Sequence, residues 1–173
     1  MTISLERLNT LDQSDFVAAL GGIFEGPPWI VTEAWTTKPF SDVDALYSAL
    51  CQVMYAAPAE RKVALIQAHP DLVGRAARTG TLGPASTAEQ AAAGLNDLTA
   101  EEIATFERLN AEYQRRFGFP FVICARENKK ESILAGFAAR MRNTREQEIA
   151  SALDEIAKIC RLRLLDTIQA DEA

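Results

Sequence analysis

Apolar residues recur at steps of three and four positions between Ser41 and Ala57. This spacing places one set of side chains on a single face of a helix, namely Val43, Leu46, Tyr47, Leu50, Val53 and Met54. An apolar helix face has to pack against other elements, so the segment predicts an amphipathic helix that lines a core. A chain of 173 residues is long enough to enclose such a core, and its length suits a single domain over residues 1–173.

Helix start and stop signals recur along the rest of the chain. Ser86 and Thr99 each stand three residues before a glutamate, which is the spacing of a capping box. A glycine-rich loop is expected over Leu72–Ala85, and an extended segment over Phe119–Ala125. The further helices are expected from Ser14 to the Gly21-Gly22 pair, Pro58 to Ala68, Ser86 to Leu95, Thr99 to Gly118, Lys129 to Met141 and Arg145 to Ile168. With no second run of strands to form a sheet, the sequence predicts an all-α fold.

Charge and hydropathy exclude two classes of partner. The formal net charge is -6, whereas nucleic-acid binding needs clustered Lys and Arg. No apolar run reaches the length of about 20 residues that a membrane span requires. The sequence also shows no basic segment leading into an apolar one at its start, and no peroxisomal ending. We therefore expect a cytoplasmic protein that binds neither nucleic acid nor membrane.

The side chains that hold cofactors are scarce. The chain has one histidine and three widely separated cysteines, so a zinc or iron site would need an unusual ligand set. Cys51, Cys124 and Cys160 lie in apolar stretches and are expected to be reduced core residues. Neither the dinucleotide-binding nor the nucleoside triphosphate-binding glycine motif is present. We expect no metal and no organic cofactor.

His69 is the main candidate for acid-base chemistry. It is the sole histidine, and histidine is the residue type whose unperturbed pKa, about 6.5, lies near neutrality. Pro70 disfavours the helical conformation for the residue before it, so His69 is expected at a helix end beside the glycine-rich loop. The alternative is a histidine that only caps the helix or fills a hydrogen bond, and the residues alone leave both open.

Arg163 is the second unusual residue. At about 100° per residue it falls on the apolar face of the last expected helix, together with Ile149, Leu153, Ile156 and Cys160. Arg161 points well away from that face. An arginine on an apolar face needs an anionic partner or a cavity for its head group. A salt bridge to one of the 24 acidic residues and a bound anionic substrate are the two explanations.

Four segments, in this order, carry a resemblance to a known family. They are His69-Pro70-Asp71, Ser86-Thr87-Ala88-Glu89-Gln90, Phe121-Val122-Ile123-Cys124-Ala125-Arg126, and the run from Glu155 to Leu164. As a set they resemble the decarboxylases of 2-oxo-4-hydroxy-4-carboxy-5-ureidoimidazoline (OHCU). The resemblance extends from about Phe16 to about Ile168 and so covers nearly the whole chain.

The resemblance implies a cofactor-free, all-helical enzyme of urate breakdown that releases carbon dioxide and forms (S)-allantoin. It makes His69 the proton donor or acid-base residue, with Glu89 tuning it or accepting the hydroxyl proton. It places substrate binding at Pro70, Ser86, Gln90 and Arg163 and at the segment containing Phe121, Ile123 and Ala125. Members of the family are often homodimers, so the resemblance leaves both a homodimer and a monomer as possible states of this protein.

Each assignment has a structural alternative. Ser86 and Glu89 could form a helix cap, which is compatible with substrate binding because a helix N-terminus presents free N-H groups. Gln90 could be an ordinary solvated helix residue, although its amide suits a ureido group. The 119–125 segment could be a buried strand.

Two other functions deserve comparison. The tripeptide His69-Pro70-Asp71 alone also occurs in J-domain co-chaperones. A J-domain has a basic helix before the tripeptide, whereas the helix expected here contains Glu60-Arg61-Lys62, which is mixed in charge. A helical scaffold with no catalytic site is the third reading, and it leaves Arg163 and the lone histidine unexplained.

Overall fold

The computed structural model of the chain describes residues 2–74, 77 and 79–169. Within them the elements are, in chain order, β1 (Ile3–Ser4), α1 (Leu5–Thr10), α2 (Gln13–Leu20), α3 (Trp29–Ala34), a 3₁₀ turn (Trp35–Thr37), α4 (Val43–Ala56), α5 (Ala59–Gln67), α6 (Pro84–Ala92), α7 (Ala100–Phe117), a second 3₁₀ turn (Ala125–Glu127), α8 (Lys130–Arg140), α9 (Arg145–Thr167) and β2 (Ile168–Gln169). Apart from two strands of two residues each, these elements are helical, and the all-α prediction is confirmed.

Backbone proximity divides the chain into two compact units. The first unit runs to Lys62 and resumes at Ala157, and the second is Val63–Ile156. The boundaries fall within α5 and α9. The single domain over residues 1–173 therefore stays a prediction.

In the first unit, the periodic segment forms α4 with the expected buried face. Leu46, Leu50 and Met54 are fully buried. The helix begins at Val43, two residues after the start of the predicted segment at Ser41, because the Asp42 carboxylate accepts the Ala45 N-H at 2.7 Å and caps the helix. Ser41 instead donates its hydroxyl to Asp42 at 3.0 Å, so both residues stabilise the helix start.

The N-terminal helices differ from the expectation. Asp12 caps α2 by accepting the Asp15 N-H at 2.9 Å, so the predicted start at Ser14 was two residues late. The six-residue α1 was not predicted, because two buried leucines, Leu5 and Leu8, are too few to reveal a period.

A short parallel pairing joins Ile3–Ser4 to Ile168–Gln169. The sequence analysis expected no pairing of strands. Two residues are too short for an alternating pattern, so this contact left no signal in the sequence.

In the second unit, α7 begins and ends as predicted. The Thr99 N-H donates to Glu102 at 2.9 Å and the Glu102 N-H donates to Thr99 at 3.2 Å, which completes the capping box. Gly118 ends the helix in the left-handed conformation with φ of 82°, which favours glycine. Helices α8 and α9 also lie within a residue of their expected bounds.

The core of the second unit is an aromatic cluster around Tyr113, formed with Phe117, Phe119, Phe121 and Phe137. Beside it lies the Glu148 carboxylate, which is 0% exposed. It accepts hydrogen bonds from the Tyr113 hydroxyl, from Arg140 Nε at 2.8 Å and from Asn143 Nδ2 at 2.9 Å. A buried charge is stable when it is paired and hydrogen-bonded in this way.

The start of α6 corrects one prediction. The helix begins at Pro84, after an N-cap at Gly83, and Ser86 lies buried inside it. Proline at the first helical position is favourable, so the helix starts two residues before the predicted capping box at Ser86 and Glu89. The expected loop therefore ends at Gly83, and its residues 75, 76 and 78 lie outside the described residues.

Candidate functional site

His69 lies just beyond the end of α5, as the position of Pro70 predicts. Its main-chain N-H donates to the Ile66 carbonyl at 3.1 Å, which closes the last turn. Its side chain is nearly enclosed, since the residue is 8% exposed. Nδ1 lies 2.9 Å from the main-chain oxygen of Leu65.

This contact assigns the protons of the imidazole ring. A carbonyl oxygen accepts but does not donate, so Nδ1 must carry the hydrogen. In the neutral ring Nε2 is then a base, and after protonation it is a donor. His69 is thus held in one orientation with Nε2 as its titrating atom.

The turn after His69 is anchored by side chains from two helices. Gln90 of α6 accepts the Val73 N-H at 3.0 Å and donates to the Asp71 carbonyl at 3.4 Å. Asn110 of α7 donates to the Leu72 carbonyl at 2.8 Å. Val73 has a φ of 54°, a conformation that costs energy for a branched residue and that these bonds hold in place. Burial raises the pKa of the Asp71 carboxyl in the same turn.

Gln90 was predicted to bind substrate through its amide, with a solvated residue as the alternative. The structure shows a third arrangement, because Gln90 is buried and both ends of its amide are engaged by the main chain of the turn. Its contact with a substrate stays a prediction.

Glu89 and Ser86 share α6 with Gln90. Burial, and then the charge of Glu127, raises the pKa of the nearby Cys124 thiol to about 11, with smaller effects from Glu155 and Glu89. Helix α6 also packs against the Ala125–Glu127 turn. The helix that carries Glu89 is therefore close to the end of the 121–125 segment, while the pairing of Glu89 with His69 stays a prediction.

Residues 121–124 form neither helix nor strand, Cys124 has an extended conformation, and the side chains of the segment are mostly buried. The Phe121 ring stacks on Phe137 with centroids 3.8 Å apart. Arg140 donates to the Val122 carbonyl at 2.6 Å, and the Cys124 N-H donates to the Glu155 carboxylate at 2.8 Å. The buried-strand alternative and the binding role of Phe121, Ile123 and Ala125 are both compatible with this arrangement.

Arg163 lies in the first unit and is 6% exposed, as its place on the apolar face of α9 predicts. Its guanidinium contacts the Glu25 carboxylate at 3.1 Å and donates to the Gly22 carbonyl at 3.2 Å. Arg161, by contrast, is partly exposed and pairs with Asp44 while lying over the Tyr47 ring at 5.3 Å. The salt-bridge explanation for Arg163 therefore holds for part of its guanidinium, and the substrate role stays a prediction.

A family model described as OHCU decarboxylase matches residues 9–165 of the chain. This chain belongs to the OHCU decarboxylase family.

Relatives of this OHCU decarboxylase family member match over nearly its whole length. The OHCU decarboxylase of Amia calva is 40% identical over 167 residues, which are 96% of this chain and 95% of the relative. That of Haloferax volcanii is 38% identical over 169 residues, 98% of each chain. A crystal structure of (S)-allantoin synthase superposes with a TM-score of 0.77 at 26% identity over 99% of this chain, which spans 56% of that protein's chain.

Family membership decides between the alternative functions. It covers the His69-Pro70-Asp71 segment within a match of 157 positions, 9–165, so this tripeptide is part of the OHCU decarboxylase pattern rather than of a J-domain. A helical scaffold without chemistry is equally disfavoured.

The second unit brings together most of the residues that the sequence singled out. The turn with His69 and Pro70, helix α6 with Ser86, Glu89 and Gln90, and the 121–125 segment all belong to it. The sequence analysis missed Asn110 and Arg140 and gave no role to Glu155; these side chains hold the turn and the segment through main-chain groups.

Two structural findings concern cofactors and membranes. Among the described residues, no three His, Cys, Asp or Glu side chains gather in a way that could hold a metal ion. Within residues 2–74, 77 and 79–169, no helix has the length and apolarity needed to cross a membrane.

Proposed function

We propose that this chain decarboxylates OHCU to (S)-allantoin and carbon dioxide in urate degradation. The similarity to named OHCU decarboxylases over nearly the full chain supports this assignment. The observation that carries it at the site is the 2.9 Å contact from His69 Nδ1 to Leu65, because it leaves Nε2 as an oriented acid-base atom.

The reaction needs little chemistry from the protein besides orientation and proton transfer. Loss of carbon dioxide leaves an electron pair at the ring carbon, and the adjacent conjugated C=N of the substrate can accept it. A carbanion with an electron sink of its own does not require pyridoxal phosphate, thiamine or a metal. The product becomes chiral when a proton is delivered to one face of the planar intermediate.

We assign that delivery to His69. Protonated Nε2 is a donor held in a fixed direction by the Nδ1 contact, and this makes delivery to a single face of the ring possible. Glu89 is proposed to accept the hydroxyl proton of the substrate or to favour the imidazolium form, since a nearby carboxylate stabilises that cation. Pro70, Ser86 and Gln90 are proposed to bind the ring and its ureido group.

Arg163 is proposed to bind the substrate carboxylate. It is the buried arginine of the C-terminal part of α9, and guanidinium groups bind carboxylates through two parallel hydrogen bonds. Its contact with Glu25 is compatible with this role, because the guanidinium has five N-H donors.

We further propose a cytoplasmic enzyme that works as a homodimer, with OHCU as its small-molecule partner. Three free cysteines suit a reducing compartment. The proposal of a homodimer is based on the resemblance to a family whose members are often homodimers. Light scattering of the purified protein at several concentrations tests it.

The function is tested by making the unstable substrate in situ. Urate is converted by the two preceding enzymes of the pathway, and circular dichroism follows the appearance of chiral allantoin after this protein is added. We expect a fast signal of the (S) enantiomer that survives dialysis against a strong chelator. Racemic allantoin at the spontaneous rate would refute the function, and a loss of rate restored by one metal would refute cofactor independence.

A further inference from the structure

We infer that Arg140 and Glu155 are positioning residues, which hold one edge of the 121–125 segment so that its opposite edge can bind the substrate ring. This inference rests on the proposed function. It gives roles to Arg140 and to Glu155, which begins the fourth segment of the resemblance but has no role assigned there, and both belong to the second unit together with the 121–125 segment.

Residues 121–124 lie outside any helix and Cys124 is extended, so we treat the segment as an extended chain. Successive residues direct their N-H and C=O groups to alternate sides, so alternate residues share an edge. Val122 and Cys124 therefore present their main-chain groups to one edge. Phe121 and Ile123 present theirs to the other.

Arg140 holds the first edge at Val122. It donates from Nη1 to the Val122 carbonyl at 2.6 Å, and its guanidinium lies 4.3 Å from the centre of the Phe121 ring. A guanidinium over an aromatic face is favourable, so one side chain fixes both a carbonyl and a neighbouring ring.

Arg140 is itself held rigidly. Its Nε donates to the fully buried Glu148 carboxylate at 2.8 Å, and the Tyr113 hydroxyl donates to the same carboxylate oxygen. A buried network with satisfied partners has few alternative arrangements. The position of the Val122 carbonyl is thereby tied to the core.

Glu155 holds the same edge at Cys124. Its carboxylate accepts the Cys124 N-H at 2.8 Å, and Asn128 donates to the Cys124 carbonyl at 2.9 Å. A main-chain N-H bound to a carboxylate is a charge-assisted contact and stronger than a neutral one. Both polar groups of Cys124 are therefore engaged by the protein.

The opposite edge is different. Among the described residues, none donates to or accepts from the main-chain groups of Phe121 or Ile123. Buried main-chain groups are almost always paired, and Phe121 is buried. A ring that carries N-H and C=O groups, as the ureidoimidazoline does, has the donors and acceptors to pair with this edge.

The test compares two substitutions of similar size at Glu155. Glu155→Gln keeps an oxygen that can accept the Cys124 N-H, whereas Glu155→Met removes the acceptor. We expect Glu155→Met to raise KM and lower kcat/KM by roughly 10²-fold, the effect expected for a misplacement of about 1 Å in a binding surface. Glu155→Gln should recover most of this loss.

A second readout follows the segment directly. Hydrogen exchange of a peptide containing residues 121–125 should speed up in Glu155→Met and stay slow in Glu155→Gln. Glu146→Met, at an exposed position in the first turn of α9, is the matched control and should change neither exchange nor kinetics.

The outcomes separate the inference from the function. A wild-type protein that makes no chiral allantoin refutes the proposed function. The inference is overturned if the wild-type protein is active and Glu155→Met has the same kcat/KM, measured well below the melting temperature of the variant. This holds even if the variant melts at a lower temperature than the wild type. The same comparison can be made at Val122 with Arg140→Lys, which keeps a donor, and Arg140→Met, which removes it. Melting curves of both variants are needed as a control, because Glu148 loses a partner when Arg140 is replaced.

Discussion

Nδ1 of His69 lies 2.9 Å from the main-chain oxygen of Leu65, one helical turn before it in the chain. The bond ties the ring to the end of α5, so the backbone rather than a carboxylate fixes its tautomer. Because α5 ends at Gln67, the imidazole is held at the junction between a rigid helix and the anchored turn that follows.

The first prediction concerns His69→Asn. The asparagine amide can still donate to the Leu65 carbonyl, so the fold should be kept, but nothing replaces Nε2. Loss of general acid-base catalysis is worth about 10² to 10⁴ in rate. We expect slow, racemic allantoin from spontaneous decarboxylation, measured by circular dichroism of the product.

A melting curve of the variant serves as the control for stability. Optically pure (S)-allantoin at near the wild-type rate from a normally folded His69→Asn protein would show that His69 is not the proton donor.

The second prediction compares the two arginines of α9. Arg163→Ala should weaken substrate binding far more than Arg161→Ala, because Arg163 is buried while Arg161 is partly exposed. Loss of a charge-assisted bidentate contact costs about 1.5 to 3 kcal/mol, roughly ten- to a hundredfold in affinity. Steady-state KM values measure the difference.

Glu25→Gln is the matched control for the structural role of Arg163. It removes the charge of the partner 3.1 Å away but keeps the arginine. If Arg163 only serves that salt bridge, Glu25→Gln and Arg163→Ala will lower the melting temperature alike and leave KM unchanged.

The third prediction concerns thiol reactivity. The neighbouring Cys160 thiol, and to a smaller extent the Tyr47 hydroxyl, favour the Cys51 thiolate, so the pKa of Cys51 falls to about 7 despite its partial burial. The same contact and burial raise the pKa of Cys160. We expect iodoacetamide to label Cys51 first, with a rate that follows an apparent pKa of about 7, by mass spectrometry.

Cys160→Ala removes the group that lowers the pKa of Cys51 most and should slow labelling of Cys51 several-fold at neutral pH, because less thiolate is present. Cys124→Ala should leave the labelling rate unchanged, since Cys124 is not among the groups that shift Cys51. Preferential labelling of Cys124 would contradict the assignment.

The fourth prediction is a fall in stability at high pH. Burial, and then the hydrogen bond to Glu148, raise the pKa of Tyr113 above its usual value of 10. Between that value and the folded-state pKa, the folded protein keeps a proton that the unfolded chain has released. The contribution of Tyr113 to the free energy of unfolding is thus complete below pH 10 and declines as pH rises further.

Urea unfolding between pH 8 and 11 measures this slope. Tyr113→Phe should lower stability at neutral pH, because Glu148 loses a partner, and should flatten the alkaline decline. Tyr55→Phe, at an exposed tyrosine, is the control. An unchanged slope in Tyr113→Phe would place the alkaline titration elsewhere.

The sequence by itself determined the helices whose signals are local. The buried face of α4, the capping box at Thr99 and the end of α7 at Gly118 follow from spacing and from the conformational freedom of glycine. The inward position of Arg163 followed from the 3.6-residue period. Two helix starts were predicted at the wrong residue, because Asp42 caps α4 and because α6 already begins at Pro84.

Only the tertiary structure decided which polar groups meet across the chain. Gln90 and Val73 are 17 residues apart, Glu155 and Cys124 are 31 apart, and Arg140 and Val122 are 18 apart. Such pairs leave no periodic trace, because a glutamine or glutamate on a helix looks alike in sequence whether it meets solvent or a main-chain amide. The partner is chosen by packing, which makes an unpaired buried group costly and so fixes these contacts once the helices assemble.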